Sequence, residues 1–275
     1  MNGFYVGDII GNSYTHENEK YNLKTKGFSL FTKRSKFSDD TILSFATIDW
    51  LLNTKHTSEE MLEIIKAYYK RFPDKTPTIY GPAFANWVED GCKEYRKSYG
   101  NGGAMRCSPI GWYANSLEEI DDLIEQGISP THNTDSGKLG AKIVCYTIFL
   151  LKNGNSLEYV KNFLSEKFSL DLEQNIDEYR NAYTYTADSV ETVRPALISL
   201  LNSKSYEDSI RNAVSFGGDT DTITTICSAI SEAYYKKIPK KIVNKAKTFL
   251  PKEFLTLLNE FNLVLDERNL ECCVI

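Results

Sequence analysis

The chain has no apolar run of the roughly 20 residues that a bilayer-spanning helix requires, so no transmembrane segment is expected. It has no excess of basic residues either. Its 32 Lys and Arg stand against 37 Asp and Glu, a formal net charge of −5. That balance argues against a non-specific nucleic-acid binder, which needs a basic face. Met1-Asn2-Gly3-Phe4 opens without the basic region and long apolar stretch of a secretory signal. The six cysteines, at 92, 107, 145, 227, 272 and 273, form neither a zinc ligand set nor a disulfide framework. Cys145 and Cys227 fall on apolar helical faces and read as core thiols. These absences point to a reducing, cytoplasmic compartment. Strand signals are scarce, no repeat period is found, and no shift in composition marks a linker.

What is present is ample core. Of 275 residues, 41% are hydrophobic and 12% aromatic, which excludes disorder and permits one large domain. Helical periods dominate, so the fold class is all-α. We expect one domain over 1–266 and a tail over 267–275, with a monomer as the default. The spacing predicts a first helix over 3–13, in which Gly7 and Gly11 would let a neighbouring helix or a ligand approach. A charge-rich loop over 15–36 reads as a lid or binding loop. Residues 73–103 read as irregular. Pro195 is placed near the first turn of a helix over 190–201, where proline is tolerated. The last helix is expected over 251–265.

The most informative run is Ser215-Phe216-Gly217-Gly218-Asp219-Thr220-Asp221-Thr222. Two carboxylates sit two residues apart, and Ile223, Ile226, Cys227, Ile230, Ala233 and Tyr234 follow at helical spacing. The acids therefore stand at a loop-to-helix junction. Phe37-Ser38-Asp39-Asp40-Thr41 has the same form, with Ile42, Leu43, Ala46, Trp50 and Leu51 behind it. Either run alone is explained by N-capping, worth about 0.3–1 kcal/mol for an acid on a helix dipole. One cap needs one oxygen, however, and the pair supplies four carboxylates and several hydroxyls. Brought together they would need hard divalent cations, and oxygen donors of this kind suit Mg²⁺ or Mn²⁺.

Two further runs are weaker. Gly100-Asn101-Gly102-Gly103 could turn its N–H groups on a phosphate, although its spacing matches neither a P-loop nor a dinucleotide fingerprint. His132, between Thr131 and Asn133, stands at a third polar helix start, where N–H dipoles suit an anion. His16 and His56 have no comparable setting.

Together these motifs resemble the ADP-ribosylglycohydrolase family, which includes the dinitrogenase-reductase-activating glycohydrolases. The resemblance rests on Gly7-Asp8-Ile9-Ile10-Gly11, Ser38-Asp39-Asp40-Thr41, Gly100 to Arg106, Thr131-His132 and Gly217 to Thr222, in that order. It implies a single orthogonal multi-helix domain and a centre of two divalent cations, Mg²⁺ or Mn²⁺. The implied metal ligands are Ser38, Asp39, Asp40, Asp219, Asp221 and Thr222. Gly100, Asn101, Gly102, Gly103 and His132 would contact the diphosphate and ribose of ADP-ribose linked to a protein side chain or small molecule. The implied reaction is hydrolysis of that N- or O-glycosidic bond, with Asp39 and Asp221 catalytic and carboxylates stabilising oxocarbenium character. Asp8 is either a partner within the site or an N-terminal structural residue.

The family places a Glu shortly after its first motif. Counting forward from Gly11 puts Thr15 there; counting back from Asn22-Leu23-Lys24 puts Glu19 there, and Glu17 is the third option. We assign Glu19 as the catalytic Glu. Without such a Glu, an ADP-ribose-binding module that has lost turnover is the alternative. A structural scaffold and a two-metal phosphohydrolase are the remaining readings. The end, Cys272-Cys273-Val274-Ile275, fits a prenylation pattern without an upstream polybasic run, and membrane association is expected only if it is lipidated.

Overall fold

The structure, a computed structural model, describes residues 1–15, 23–73 and 79–272. Fifteen helices occur among them and no strand. In chain order they are α1 (Gly3–Gly11), α2 (Asp39–Asn53), α3 (Ser58–Arg71), α4 (Pro82–Glu89), α5 (Gly102–Arg106), α6 (Ser108–Tyr113), α7 (Leu117–Gly127) and α8 (Asp135–Lys152). There follow α9 (Leu157–Phe168), α10 (Ile176–Ala182), α11 (Ser189–Leu201), α12 (Tyr206–Ser215), α13 (Thr220–Tyr235), α14 (Lys240–Lys247) and α15 (Lys252–Cys272). The starts are chemically marked. Thr57 forms a capping box with Glu60, while Ser116, Thr134, Ser156 and Ser205 each accept an N–H from the first turn.

Helix α13 is the axis of the molecule. Every residue from Thr220 to Ala233 is buried, with α1, α8, α11 and α12 packed around it. Its many Ser, Thr and Ala side chains are small enough for helices to approach on all sides. The closest is α1, whose Gly3, Gly7 and Gly11 form a stripe at i, i+4 and i+8. A Cβ at Gly7 would lie 2.3 Å from Thr224 O, and one at Gly11 would lie 2.7 Å from Asp221 Cα. The approach expected of Gly7 and Gly11 is thus made by a helix backbone. Glu232 of α13 accepts the N–H groups of Asn2 and Gly3, each at 2.7 Å, and so caps α1 from outside.

Several sequence-based expectations need correction. Helix α1 ends at Gly11 rather than at 13. Residues 73–103 are not wholly irregular, because α4 lies within them. Its Gly81-Pro82 start and following Gly91 look like breakers, but Pro82 occupies the first turn and Gly91 has φ +86 just past the end. Pro195 is the seventh residue of α11, inside the helix, because the chain enters helix at Ser189 under an Asp188 cap. The hydrogen bond from position 195 to the carbonyl of Glu191 is therefore missing. Helix α15 continues to Cys272, past 265, and Arg268 stacks over the Tyr113 ring at 3.9 Å and donates to its carbonyl at 2.9 Å. Residues 273–275 of the prenylation-like tail lie outside the described residues. Cys92, Cys107, Cys145 and Cys227 are buried free thiols, as read for 145 and 227. No helix among the described residues is long and apolar enough to cross a membrane.

Of the expected lid over 15–36, Thr15 lines the cavity described below, while residues 23–36 are fastened outside it. Lys24 Nζ donates to the carbonyls of Arg180, Tyr183 and Phe216 at 2.9, 2.8 and 2.7 Å. Arg211 Nη1 donates to the carbonyls of Lys26 and Phe28 at 2.9 and 2.8 Å. Three carbonyls converging on one ammonium satisfy helix ends that would otherwise face water. Lys24→Met removes that donor, and we expect a loss of about 1–2 kcal/mol, read from the urea midpoint. An unchanged midpoint would remove Lys24 as the fastening.

Candidate active site

The two acid-bearing helix starts meet because α1 lies between their origins. Asp8, on α1 one residue after Gly7, is fully buried and reaches the start of α2. Its carboxylate accepts Ser38 N and Ser38 Oγ, both at 2.8 Å, Thr41 N at 3.2 Å, and the Thr41 hydroxyl. The alternatives for Asp8 therefore merge: it is structural, and it anchors the site. At the other end, Gly11 touches the start of α13. Thr15 Oγ1 accepts Asp221 N at 2.8 Å, and Asn12 Nδ2 donates to Asp221 Oδ2 at 3.3 Å. The turn before α13 requires two left-handed residues in succession, Gly217 at φ +71 and Gly218 at φ +67, which glycine adopts without strain.

Capping leaves the acids free. Ser38 caps α2, Thr15 serves the first turn of α13, and Asp219, the N-cap residue of α13, makes no side-chain cap bond. Asp39, Asp40, Asp219, Asp221 and Thr222 all line one cleft of about 440 Å³. None of the four acids forms an ion pair among the described residues. Burial, and then the charge of Asp221, pushes the carboxyls of Asp39, Asp40 and Asp219 well above the ordinary range. The same two causes raise Asp8 to about 7. Asp40 Oδ1 is buried with no hydrogen-bond partner, while Oδ2 meets Ser38 Oγ at 3.3 Å and Thr222 Oγ1 at 3.4 Å. Among the described residues, no group of three or more His, Cys, Asp or Glu side chains is already closed around a point able to hold a metal ion.

The glycine-rich turn forms the adjoining wall. Gly100, Asn101 and Gly102 line the cleft, while Gly103 lies behind it against Ile128. Asn101 is committed to the acids, since its Nδ2 donates to Asp219 Oδ2 at 2.6 Å and Thr192 Oγ1 at 3.2 Å. Arg106 is buried under this wall. It donates to Gly127 O at 2.9 Å, Thr131 Oγ1 at 2.8 Å and Thr47 Oγ1 at 3.3 Å, with no carboxylate partner among the described residues. His132 is buried and lines the cleft, its Nδ1 2.7 Å from Thr131 Oγ1. Burial first, and then the charges of Arg106 and Arg96, push its pKa well down, so the ring is neutral. Leu43, Ile79, Tyr80, Pro82, Phe84 and Met105 make the apolar side.

The structure thus brings Asp39, Asp40, Asp219, Asp221, Thr222, Gly100, Asn101, Gly102 and His132 to one cleft. Ser38 does not line it; it stands behind, with its proton given to Asp8 and one lone pair to Asp40 N. Glu17, Glu19 and His16 lie outside the described residues. Sequence reasoning missed Asn12, Arg96 and the largely exposed Tyr185, which shares the cleft with Asp219 and Asp221. It also missed what Thr15 does. For Asn12 and Thr15 a signal existed: the glycine stripe ends at Gly11, so the next residues must emerge where α1 meets α13.

Comparison with known proteins bears on the family and the fold. The family model described as ADP-ribosylglycohydrolase matches residues 1–270. Human ADP-ribosylhydrolase ARH3 is 24% identical over 264 residues, covering 74% of this chain and 72% of that one. The uncharacterized protein YegU of Escherichia coli (strain K12) is 25% identical over 252 residues, covering 77% and 75%. A solved structure, an ADP-ribosylglycohydrolase-related protein complex, shares the fold with a TM-score of 0.65 at 17% identity, over 93% of this chain and 94% of that one. The match along almost the whole chain, on an all-α fold of the same kind, shows that this protein belongs to the ADP-ribosylglycohydrolase family, a family of hydrolases acting on ADP-ribose glycosidic bonds.

Proposed function

We propose that the protein hydrolyses the N- or O-glycosidic bond that joins ADP-ribose to a protein side chain or a small molecule, with two divalent cations, Mg²⁺ or Mn²⁺. The observation that carries this reading is the meeting of two acid-bearing helix starts in one cleft, where none of the four acids has an ion-pair partner among the described residues. Asp39, Asp40, Asp219, Asp221 and Thr222 would hold the cations, joined by the remaining lone pair of Ser38. The donors fit: they are hard oxygens, and Asp40 Oδ1 is an orphan inside the protein. Like charges keep such a set apart until positive charge arrives. Bound cations would supply Lewis acidity and positive charge beside the scissile bond.

The chain's own residues do the rest. Carboxylates along α2 and α13 stabilise the positive charge that develops on the ribose as the bond breaks. Asn101 fixes Asp219, Asn12 and Thr15 fix Asp221, and Asp8 fixes the start of α2, so the acids are held before substrate arrives. Gly100 and Gly102 let ligand atoms come close to backbone, while Tyr80 and Phe84 exclude water from the apolar side. Glu19, which lies outside the described residues, remains the assigned catalytic Glu.

The test is incubation with ADP-ribosyl-arginine and ADP-ribosyl-serine peptides in Mg²⁺, Mn²⁺ or EDTA, with products followed by mass spectrometry. Cation-dependent release of intact ADP-ribose is expected. Release of AMP or phosphate would make it a phosphohydrolase. ADP-ribose binding without turnover of either peptide would leave a binding module.

A further inference from the structure

His132 is held on several sides, and its two ring nitrogens have different neighbours. A Cβ at Gly102 would lie 3.1 Å from both Cε1 and Nε2, so this edge of the ring lies flat against the glycine turn. Nε2 has no hydrogen-bond partner among the described residues, and the residue lines the cleft. Nδ1 faces Thr131 Oγ1 at 2.7 Å. Which nitrogen carries the proton therefore depends on where the single hydroxyl proton of Thr131 points.

Three groups compete around that hydroxyl. Arg106 Nη2, at 2.8 Å, only donates, and it occupies one lone pair of the oxygen. Ile128 O, at 3.1 Å, only accepts, but it already receives the N–H groups of Thr131 at 3.1 Å and His132 at 3.0 Å. A carbonyl has two lone pairs, and both are taken. The nearer acceptor with capacity left is His132 Nδ1. We propose that Thr131, oriented by Arg106, fixes His132 as the Nε2–H tautomer, so that the cleft presents a hydrogen-bond donor there and selects an acceptor oxygen of the ligand. Arg96 lines the same cleft without an ion pair among the described residues and is also a donor only. With the ring kept neutral, the tautomer rather than an added proton decides what this wall offers. Thr131 and Arg106 are thus positioning residues. The tautomer is independent of the proposed reaction; the identity of the selected oxygen, a phosphate or ribose oxygen of ADP-ribose, rests on it.

The experiment uses the full chain labelled with ¹⁵N-histidine, free of ligand, at pH 7.5, with His132 assigned from the spectrum of His132→Gln. Wild type is expected to show a protonated Nε2 and an unprotonated Nδ1. A protonated Nδ1, or rapid exchange between the two, overturns the proposal. Thr131→Val should lose the bias and weaken ADP-ribose binding about tenfold by calorimetry, and Thr131→Ser should restore both. Equal weakening by Val and Ser would reduce Thr131 to packing. If Thr131→Val does not fold, the wild-type and Thr131→Ser spectra still decide the tautomer. A wild-type protein that binds no ADP-ribose would sink the proposed reaction while the nitrogen spectrum still answers this question.

Discussion

Asp221→Asn is expected to inactivate the protein and at the same time to stabilise its metal-free form. After burial, the charge of Asp221 is the largest cause of the raised pKa of Asp8, Asp39, Asp40 and Asp219. Removing it relieves four repulsions at once, while Asn keeps an oxygen for Thr222 N, which lies 3.0 Å from Asp221 Oδ1. We expect a gain of about 1–2 kcal/mol, or roughly 2–8 °C in Tm, in EDTA. Hydrolysis should fall about 10³-fold, and the rise in Tm on adding Mg²⁺ or Mn²⁺ should shrink or vanish. A lowered Tm in EDTA, or an undiminished cation effect, would contradict the reading of this cluster. Scanning calorimetry with paired activity assays measures all three.

The pH dependence follows in sign. A carboxyl whose pKa is higher folded than unfolded binds its proton more tightly in the folded state. Its contribution to stability is full below about pH 4, the ordinary value, and is lost as the pH rises through the folded value. For Asp8 that value is about 7, and Asp39, Asp40 and Asp219 shift in the same direction. The metal-free protein therefore loses stability from these groups as the pH rises above about 4, with the loss from Asp8 centred near its folded value of about 7. The stabilisation by Asp221→Asn should be larger at pH 8 than at pH 5. So should the stabilisation by cations, which must displace protons to bind.

Gly7→Val should do the reverse, costing stability first and activity as a consequence. A Cβ at this position meets Thr224 O at 2.3 Å, Ser228 Cβ at 2.7 Å and Thr224 C at 2.7 Å. Two of those atoms are backbone of the central helix, so no rotamer change relieves the contact and α1 must move off α13. Overpacking of this kind costs about 3 kcal/mol, or roughly 6–12 °C in Tm. Because Asp8 is the next residue, displaced α1 also loosens its hold on Ser38 and Thr41, and cation binding should weaken with it. Gly81→Ala is the control: a Cβ there meets nothing within 4 Å, and its change should stay within about 0.5 kcal/mol. Equal losses in the two variants would show that the α1–α13 contact is not what limits stability.

Helices and their starts were readable because a helix writes its period and its cap into adjacent residues. The polar runs at 38–41 and 217–222, followed by apolar residues at helical spacing, placed α2 and α13 correctly. Helix α4 was lost because Pro82 and Gly91, read alone, mean interruption, and only their places at the first turn and just past the end make them boundaries. The surplus of carboxylates over caps was also visible, since counting oxygens against orphan N–H groups needs no coordinates.

What the sequence determined by itself is therefore the all-α class, the acid-bearing starts and the family those motifs mark. Only the tertiary structure decided how they meet. The stripe at Gly3, Gly7 and Gly11 announces a close approach but not the surface approached. That Asp8 would reach Ser38, that Thr15 would serve Asp221, and that Asn101 would turn to Asp219 depends on contacts 30, 206 and 118 residues apart. The role of Thr131 rests on a neighbour 25 residues away, Arg106, whose side chain is buried. Local pattern fixes which groups a helix end can offer; packing fixes which partners remain to take them.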